Sequence, residues 1–502
     1  MIFFVNRYCF ISFLSISLPQ SITHNYNRMK RHLYLLLLVF SISVGAQNIS
    51  GSWSGTMDIG ASKLNITFNL SKDNNGKNVC TMDVPDQMKK DIPTELILLS
   101  ADSLKLKIPA LGVSYEGCLK DGIIKGTFTQ AIYTLQLDLK PGKPVFRRPQ
   151  TPQPPFAYHT EEVYFSNNED NAKLCGTLTY PIGYDKMKKR SVPVVLMVTG
   201  SGLQNRDEEI FDHKPFLVIA DFLAKNGIAS LRFDDRTMGK STGDVKNATT
   251  YNFMKDAAAG LNYLRKRKEF GKVGVMGHSE GGTISFMLGG KQKTDFIISL
   301  AGTGVRGDSV LVSQNRIAMQ QVNVPSQNIN DYCNVLKKVY QYKIDSRAKV
   351  YKNATTTLLP LTLQKKSTDN PEAVVDQIIN EVKANLPSAQ RANIIKILNM
   401  QNPWINFFIT YDPGNDISKT KCPVMAINGS LDSQVMPQYN LETIKRLLPP
   451  NKKNLIKEYK GLNHLFQHCT TGAFSEYNKI EETFAPEVLQ DMVGWIKSIT
   501  IN

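Results

Sequence analysis

The run Val273-Gly274-Val275-Met276-Gly277-His278-Ser279-Glu280-Gly281-Gly282 constrains this chain more than any other stretch of its 502 residues. An apolar, β-type segment leads into G-x-S-x-G, and a helix-like segment from Thr283 to Leu288 follows. That pattern requires a strand that turns abruptly into a helix, with Ser279 strained at the corner and its hydroxyl projecting into a cleft. Glycine is needed at 277 and 281, because a side chain at either would collide with the neighbouring strand and helix. The start of the helix also favours negative charge developing beside it.

A serine hydroxyl is a weak nucleophile near neutrality; it needs a base, and the base needs an orienting acid. On such an elbow the chain order is Ser, then Asp or Glu, then His. Asp432 stands in a turn just after the apolar run Val424–Ile427, and His464 in the loop after Leu455–Tyr459. Beyond residue 46 there are five histidines: His159, His213, His278, His464 and His468. His278 neighbours the nucleophile and is expected to point away, His159 lies at a linker and His213 precedes the first helix. His468 competes with His464 for the role of base. His464-x3-His468-Cys469 has a metal-like spacing, but no Glu follows the first His and no second cluster exists, so no metal is expected. The oxyanion donors should be the backbone N–H of Glu280 and one from the loop Val198–Gln204, where Ser201 is the candidate and Gly202 the next choice. The charges of the loop Arg232–Gly243 are expected to hold loops together.

The flanking texture predicts an α/β fold. Apolar runs at Pro193–Thr199, Ile228–Phe233, Val273–Met276, Phe296–Leu300 and Val424–Ile427 alternate with amphipathic stretches such as Phe216–Lys225 and Phe253–Arg267. Continuous β-rich runs separated by helices indicate a doubly wound, mostly parallel sheet covered on both faces. Between Gly302 and Cys422 no such run recurs, and the helical spacing there predicts an inserted lid over about 306–412. Upstream, residues 47–145 alternate with period two between turn signals, as in Lys63–Leu70 and Leu104–Ile108, which predicts a small antiparallel sandwich or barrel. It holds no His and no catalytic constellation, so packing or positioning is its expected role. The Pro-rich run Pro141–Pro155 places a linker over 146–158 and the catalytic unit over 159–502.

Residues 1–46 read as an address. Met29-Lys30-Arg31, the apolar run Leu33–Phe40 and the small-residue exit Ser41–Ala46 form a secretory signal, with Met29 as the expected start and cleavage after Ala46. The apolar stretch Ile2–Leu18 leaves an uncleaved membrane anchor as the alternative. Export to the periplasm or medium is expected, with no stable membrane insertion once the signal is removed. The chain has 60 Lys+Arg against 44 Asp+Glu, a net charge of +16. Without residues 1–46, which hold four basic and no acidic residues, the balance is 56 against 44, or +12. These charges are interspersed and lack an aromatic stripe, which argues for a solvated surface and no nucleic-acid partner. Six cysteines remain beyond Cys9 without a repeating framework; Cys80 and Cys118 share one small domain and could pair, and buried free thiols are otherwise expected.

Taken together, these segments resemble the α/β-hydrolase superfamily, specifically an esterase and serine-aminopeptidase-like group of exported bacterial enzymes with an N-terminal β domain. The resemblance rests on Gly200-Ser201-Gly202 with Gln204–Glu208, on Gly277–Gly282, Pro423–Val435 and Gly461–Gln467, and it covers about 160–502. Asp235-Arg236-Thr237-Met238-Gly239-Lys240-Ser241 is similar to the group's Asp-Arg-Gly-x-Gly-x-Ser, with Thr237 where Gly is usual. Thr199 stands where many relatives have His. Met82–Gln87 is similar to the N-terminal module of such enzymes. The resemblance implies a cofactor-free acyl-ester or acyl-amide hydrolase acting on a small ester or short peptide. The leading reading is a carboxylesterase using Ser279, His464 and Asp432. An aminopeptidase would need an acidic group for the substrate amine, with Asp331, Asp345 and Glu372 available, and a non-catalytic carbohydrate or lipid binder is the alternative from another class.

Overall fold

The computed structural model describes residues 49–500 apart from 59–62, 88, 132, 144–146 and 354–369. The segment read as a signal lies outside the described residues. Two compact units divide between residues 145 and 146.

In the first unit, described strands from Gly51–Asp58 to Lys140–Pro141 pair antiparallel into one sheet. Strand Ser103–Ile108 shows the cause: Leu104, Leu106 and Ile108 are buried, while the residues between them are not. The end of the unit makes the sheet curl. Leu137 and Leu139 donate to Gly126 and Ile124 in strand Ile123–Gln130, and Lys140 and Pro141 pair with Ser54 and Trp53 at the opposite end. One short segment therefore touches both ends of the sheet. Phe68, Leu106, Tyr115 and Ile124 fill the curl, and the buried Tyr115 hydroxyl is satisfied by donating to the Leu137 carbonyl at 3.1 Å. The architecture is one curled antiparallel sheet, which is the barrel-like form of the expected sandwich or barrel.

From Arg148 onward the Pro-rich stretch is tied to the second unit. Arg148 donates to the carbonyl oxygens of Phe211, Asn478 and Ile480, and the Gln150 side chain bonds the backbone of Thr483 and Phe484.

The second unit contains, among its described residues, the strands β1 (Thr160–Asn167), β2 (Ala172–Thr179), β3 (Val192–Val198), β4 (Ala229–Phe233), β5 (Phe270–His278), β6 (Ile297–Leu300), β7 (Val424–Gly429) and β8 (Leu455–Tyr459). Their order is β1-β2-β4-β3-β5-β6-β7-β8. β1 and β2 are antiparallel at one edge, and every pairing from β4 to β8 is parallel. Both faces are covered, and β3 is buried along its whole length. Val195 and Met197 pack with α1 (Pro215–Lys225) and with the helix Pro486–Thr500. Val194, Leu196 and Val198 pack on the other side with α2 (Thr250–Lys266) and α3 (Glu280–Gly290). Each such side chain contributes on the order of 1.5–3 kcal/mol when fully buried. This is the α/β-hydrolase sheet. After β3 the chain moves to β4 on one side, then crosses to β5 on the other, so the carboxyl ends of β3 and β5 flank a topological switch point, where such sheets bind ligands.

Between β6 and β7 the described chain forms α4 (Gly307–Gln321), α5 (Ser326–Asn353), α6 (Pro371–Glu381), α7 (Ser388–Asn399) and α8 (Pro403–Thr410). Two of them begin with Asn-Pro: the side chains of Asn370 and Asn402 accept from the N–H groups of Ala373 and Ile405, and proline occupies the first helical position. The insertion has its own core of Leu336, Val339, Val375, Ile394 and Ile409. Among the described residues no helix is long and apolar enough to cross a membrane.

Candidate active site

β5 ends at His278 and α3 begins at Glu280, leaving Ser279 between them at φ 54° and ψ −114°. A serine at positive φ costs of order 1–3 kcal/mol and persists only where its surroundings impose it. Here the Ser279 N–H donates to the Leu300 carbonyl of β6 at 2.8 Å, and the Ser279 carbonyl accepts from Gly282 at 3.0 Å. The glycines are steric necessities. A Cβ on Gly277 would lie 1.9 Å from the Gly281 carbonyl oxygen, and one on Gly281 would lie 2.1 Å from that of Val198.

His464 and Asp432 come together as the sequence predicts. His464 Nδ1 donates to Asp432 Oδ2 at 2.8 Å, and both side chains are almost fully buried. The same carboxylate accepts from Asn428 Nδ2 at 3.1 Å and, through Oδ1, from the N–H groups of Gln434 and Val435 at 2.8 Å each. Four donors therefore fix its position, and its bond to Nδ1 leaves the lone pair of a neutral His464 on Nε2. His468, the other candidate, is exposed and paired with Glu482 and Glu487. His213 is buried between Thr483 and the Tyr477 carbonyl. Ser279 and His464 make no hydrogen bond to one another among the described residues; their link runs through His278, whose Nε2 donates to the His464 carbonyl at 2.9 Å. The two imidazole rings are 4.6 Å apart. Hydrogen bonds of this kind often tighten only when substrate binds.

The loop after β3 is held from several sides. Asp235 accepts from Thr199 Oγ1 at 3.2 Å and Gln204 N at 2.8 Å, Asp234 accepts from the backbone and guanidinium of Arg206, and Arg232 pairs with Asp207. Burial holds the Asp235 carboxyl well above the usual carboxylate range. Arg236 is bound by Asp256 and Asp170, each at 2.6 Å. These charges brace loops, as expected of Arg232–Gly243. Gly200 N donates to Glu208 Oε1 at 2.6 Å, whereas the N–H groups of Ser201 and Glu280 have no hydrogen-bond partner among the described residues. The latter two are thus free to donate elsewhere.

Three participants escaped the sequence reading. Glu208 Oε1 also faces His278 Nδ1 at 2.9 Å, so His278 is an integral support and not a bystander. The only sequence signal was an acidic residue in a glycine loop and an imidazole beside the elbow, which nothing in the linear pattern connects. The third is Trp404 of α8, whose Nε1 donates to Glu280 Oε1 at 2.8 Å. Glu280 is buried, and that burial raises its carboxyl above the ordinary value. Its side chain borders two cavities, one with Thr199, Gly202 and Asp235, the other with Thr303, Phe407 and Tyr411. The acidic residues proposed for amine capture are engaged elsewhere or exposed: Asp331 bonds Gln327 and Asn385 N, Asp345 bonds Gln341, and Glu372 faces solvent. Cys80 and Cys118 are not paired; all six described cysteines are free, and Cys118 is exposed.

Several known proteins are similar to this chain. Esterase EstD of Thermotoga maritima is 28% identical over 171 residues, which is 34% of this chain and 40% of the esterase. An esterase of Pyrococcus furiosus, Pf2001, overlays 68% of this chain and 93% of its own at 17% identity and a TM-score of 0.36. Est1E from Butyrivibrio proteoclasticus, solved with ferulic acid bound, overlays 66% of this chain and 99% of its own at 16% identity and a TM-score of 0.36. The sequence pattern of the X-Pro dipeptidyl-peptidase (S15) family matches residues 170–469, from the start of β2 through the loop of His464. The chain belongs to that family of hydrolases.

Proposed function

We propose that this protein is an exported serine carboxylesterase that cleaves acyl esters through an acyl-enzyme intermediate. The observation that carries this reading is the strained Ser279 elbow beside a buried His464–Asp432 pair. Ser279 Oγ attacks the acyl carbonyl while His464 Nε2 takes its proton and passes it to the departing alcohol. Asp432 orients the ring and stabilises the imidazolium. The N–H groups of Ser201 and Glu280 receive the oxyanion, each such donor being worth about 10²–10³ in rate. Water then repeats the sequence to release the acid. The helices α4–α8 act as the lid, and no cofactor takes part.

Ser279→Ala should lower p-nitrophenyl acetate turnover by at least about 10³-fold without unfolding the protein. Retention of more than a few per cent of the parent rate would remove Ser279 from the mechanism. A second reading, release of short peptides from substrate N-termini, is favoured by the family to which the chain belongs. Parallel kcat/KM values for p-nitrophenyl esters and for aminoacyl and dipeptidyl p-nitroanilides separate the two. Export is tested by the mass of the protein recovered outside the cytoplasm, which should begin at Gln47.

A further inference from the structure

We infer that Glu208 and His278 form a second acid–imidazole pair, which positions the oxyanion loop and the base together and carries a proton of its own. The inference rests on the serine-hydrolase reading and extends it to residues that touch no reacting atom.

The hydrogen-bond pattern determines the proton count. His278 Nε2 faces the His464 carbonyl oxygen at 2.9 Å, and a carbonyl can only accept, so Nε2 carries a proton. His278 Nδ1 faces Glu208 Oε1 at 2.9 Å, and that same oxygen already accepts the Gly200 N–H at 2.6 Å. The Nδ1 contact is attractive only with a proton between the two atoms. The pair thus holds one proton more than a neutral imidazole beside a carboxylate would, and is electrically neutral as a unit. Its burial demands as much: Glu208 and His278 are 5% and 6% exposed, and a lone charge there would be costly. Asp432 is the other charge facing His278, beyond the neighbouring ring of His464. Burial alone would lower the basicity of His278, but the charge and hydrogen bond of Glu208 outweigh it and hold the imidazole above its ordinary range.

A single carboxylate oxygen consequently ties down Gly200, next to the Ser201 donor, and the imidazole next to Ser279. That imidazole in turn grips the backbone of His464, whose ring is held at Nδ1 by Asp432. The nucleophile, the base and the oxyanion loop share one proton-dependent brace, and Glu208 and His278 are positioning residues.

Glu208→Gln tests this with an isosteric change. An amide leaves a protonated His278 as an uncompensated buried charge, while a neutral imidazole cannot donate from both nitrogens, so one link of the brace must break. We expect kcat for p-nitrophenyl acetate to fall at least about tenfold, with KM within about twofold of the parent, because misplacement damages the transition state more than binding. His278→Phe should do the same, and the double variant should be no slower than the slower single one. A folded Glu208→Gln with kcat within about twofold of the parent, or losses that multiply in the double variant, would overturn the inference. Should the variants not fold, the nitrogen-15 spectrum of the histidine-labelled parent decides: both ring nitrogens of His278 should be protonated near neutral pH, and a bare Nδ1 refutes the pair. The serine-hydrolase reading is tested separately by fluorophosphonate labelling of the parent and its loss in Ser279→Ala. An active parent with an equally active Glu208→Gln sinks the brace alone.

Discussion

At the scale of single residues, two positions outside the reacting centre carry measurable strain or charge cost. Burial, aided by the Arg148 charge, lowers the His213 imidazole to about 4. It is therefore neutral when folded, and below the unfolded value of about 6.5 the unfolded chain takes up a proton that the folded one refuses. The contribution is intact above pH 6.5 and is lost as pH falls towards 4, up to a total on the order of 3 kcal/mol. Urea midpoints of the parent and of His213→Gln should accordingly converge as pH drops from 7 to 4; a constant gap would show that His213 does not titrate in this way. Thr237 occupies φ 66°, the left-handed region, where related enzymes are expected to carry Gly. A β-branched side chain there costs about 1–2 kcal/mol, partly offset by the lower entropy of the unfolded chain. Thr237→Gly should raise Tm by about 1–2 °C, and a lower Tm would mean that the loop draws support from the threonine side chain.

At the scale of elements, the contact between α8 and α3 matters most. Trp404 meets the buried carboxyl of Glu280, the residue that follows Ser279, and its ring stacks on Phe408 with centroids 5.2 Å apart. Trp404→Phe keeps the stacking and removes the donor. A buried acceptor that loses its partner costs about 1–3 kcal/mol, so the thermal midpoint should fall and ester KM should change, because the insertion is no longer tied to the start of α3. An unaltered midpoint and KM would show that the insertion is held by its apolar contacts alone.

At the scale of the whole molecule, each unit has a separate source of stability. The core of the curled sheet is drawn from residues between Ile49 and Leu139, whereas the second unit has one core on each face of its parallel sheet and another within the insertion. Residues 47–145 expressed alone should therefore give a β-type circular dichroism spectrum and a sigmoidal denaturation curve. A gradual, non-cooperative loss of signal would show that this sheet needs the rest of the chain to fold.

The strand-to-helix elbow at Ser279, the meeting of Asp432 with His464 and the two-faced sheet were legible in the sequence. Each is written in local terms: a pair of glycines that no side chain could replace, apolar runs of strand length, and a chain order imposed by the topology. The choice between a sandwich and a curled, barrel-like sheet was not legible, since alternation says which face is buried but not where the last strand pairs. The roles of Glu208, His278 and Trp404 were equally hidden. Glu208 and His278 are 70 residues apart, and Trp404 is 124 residues from Glu280. Only packing at the ends of β3 and β5 brings such groups within hydrogen-bond reach, where burial makes their pairing obligatory. Local pattern determined which residues could do chemistry, and tertiary structure decided which others hold them in place.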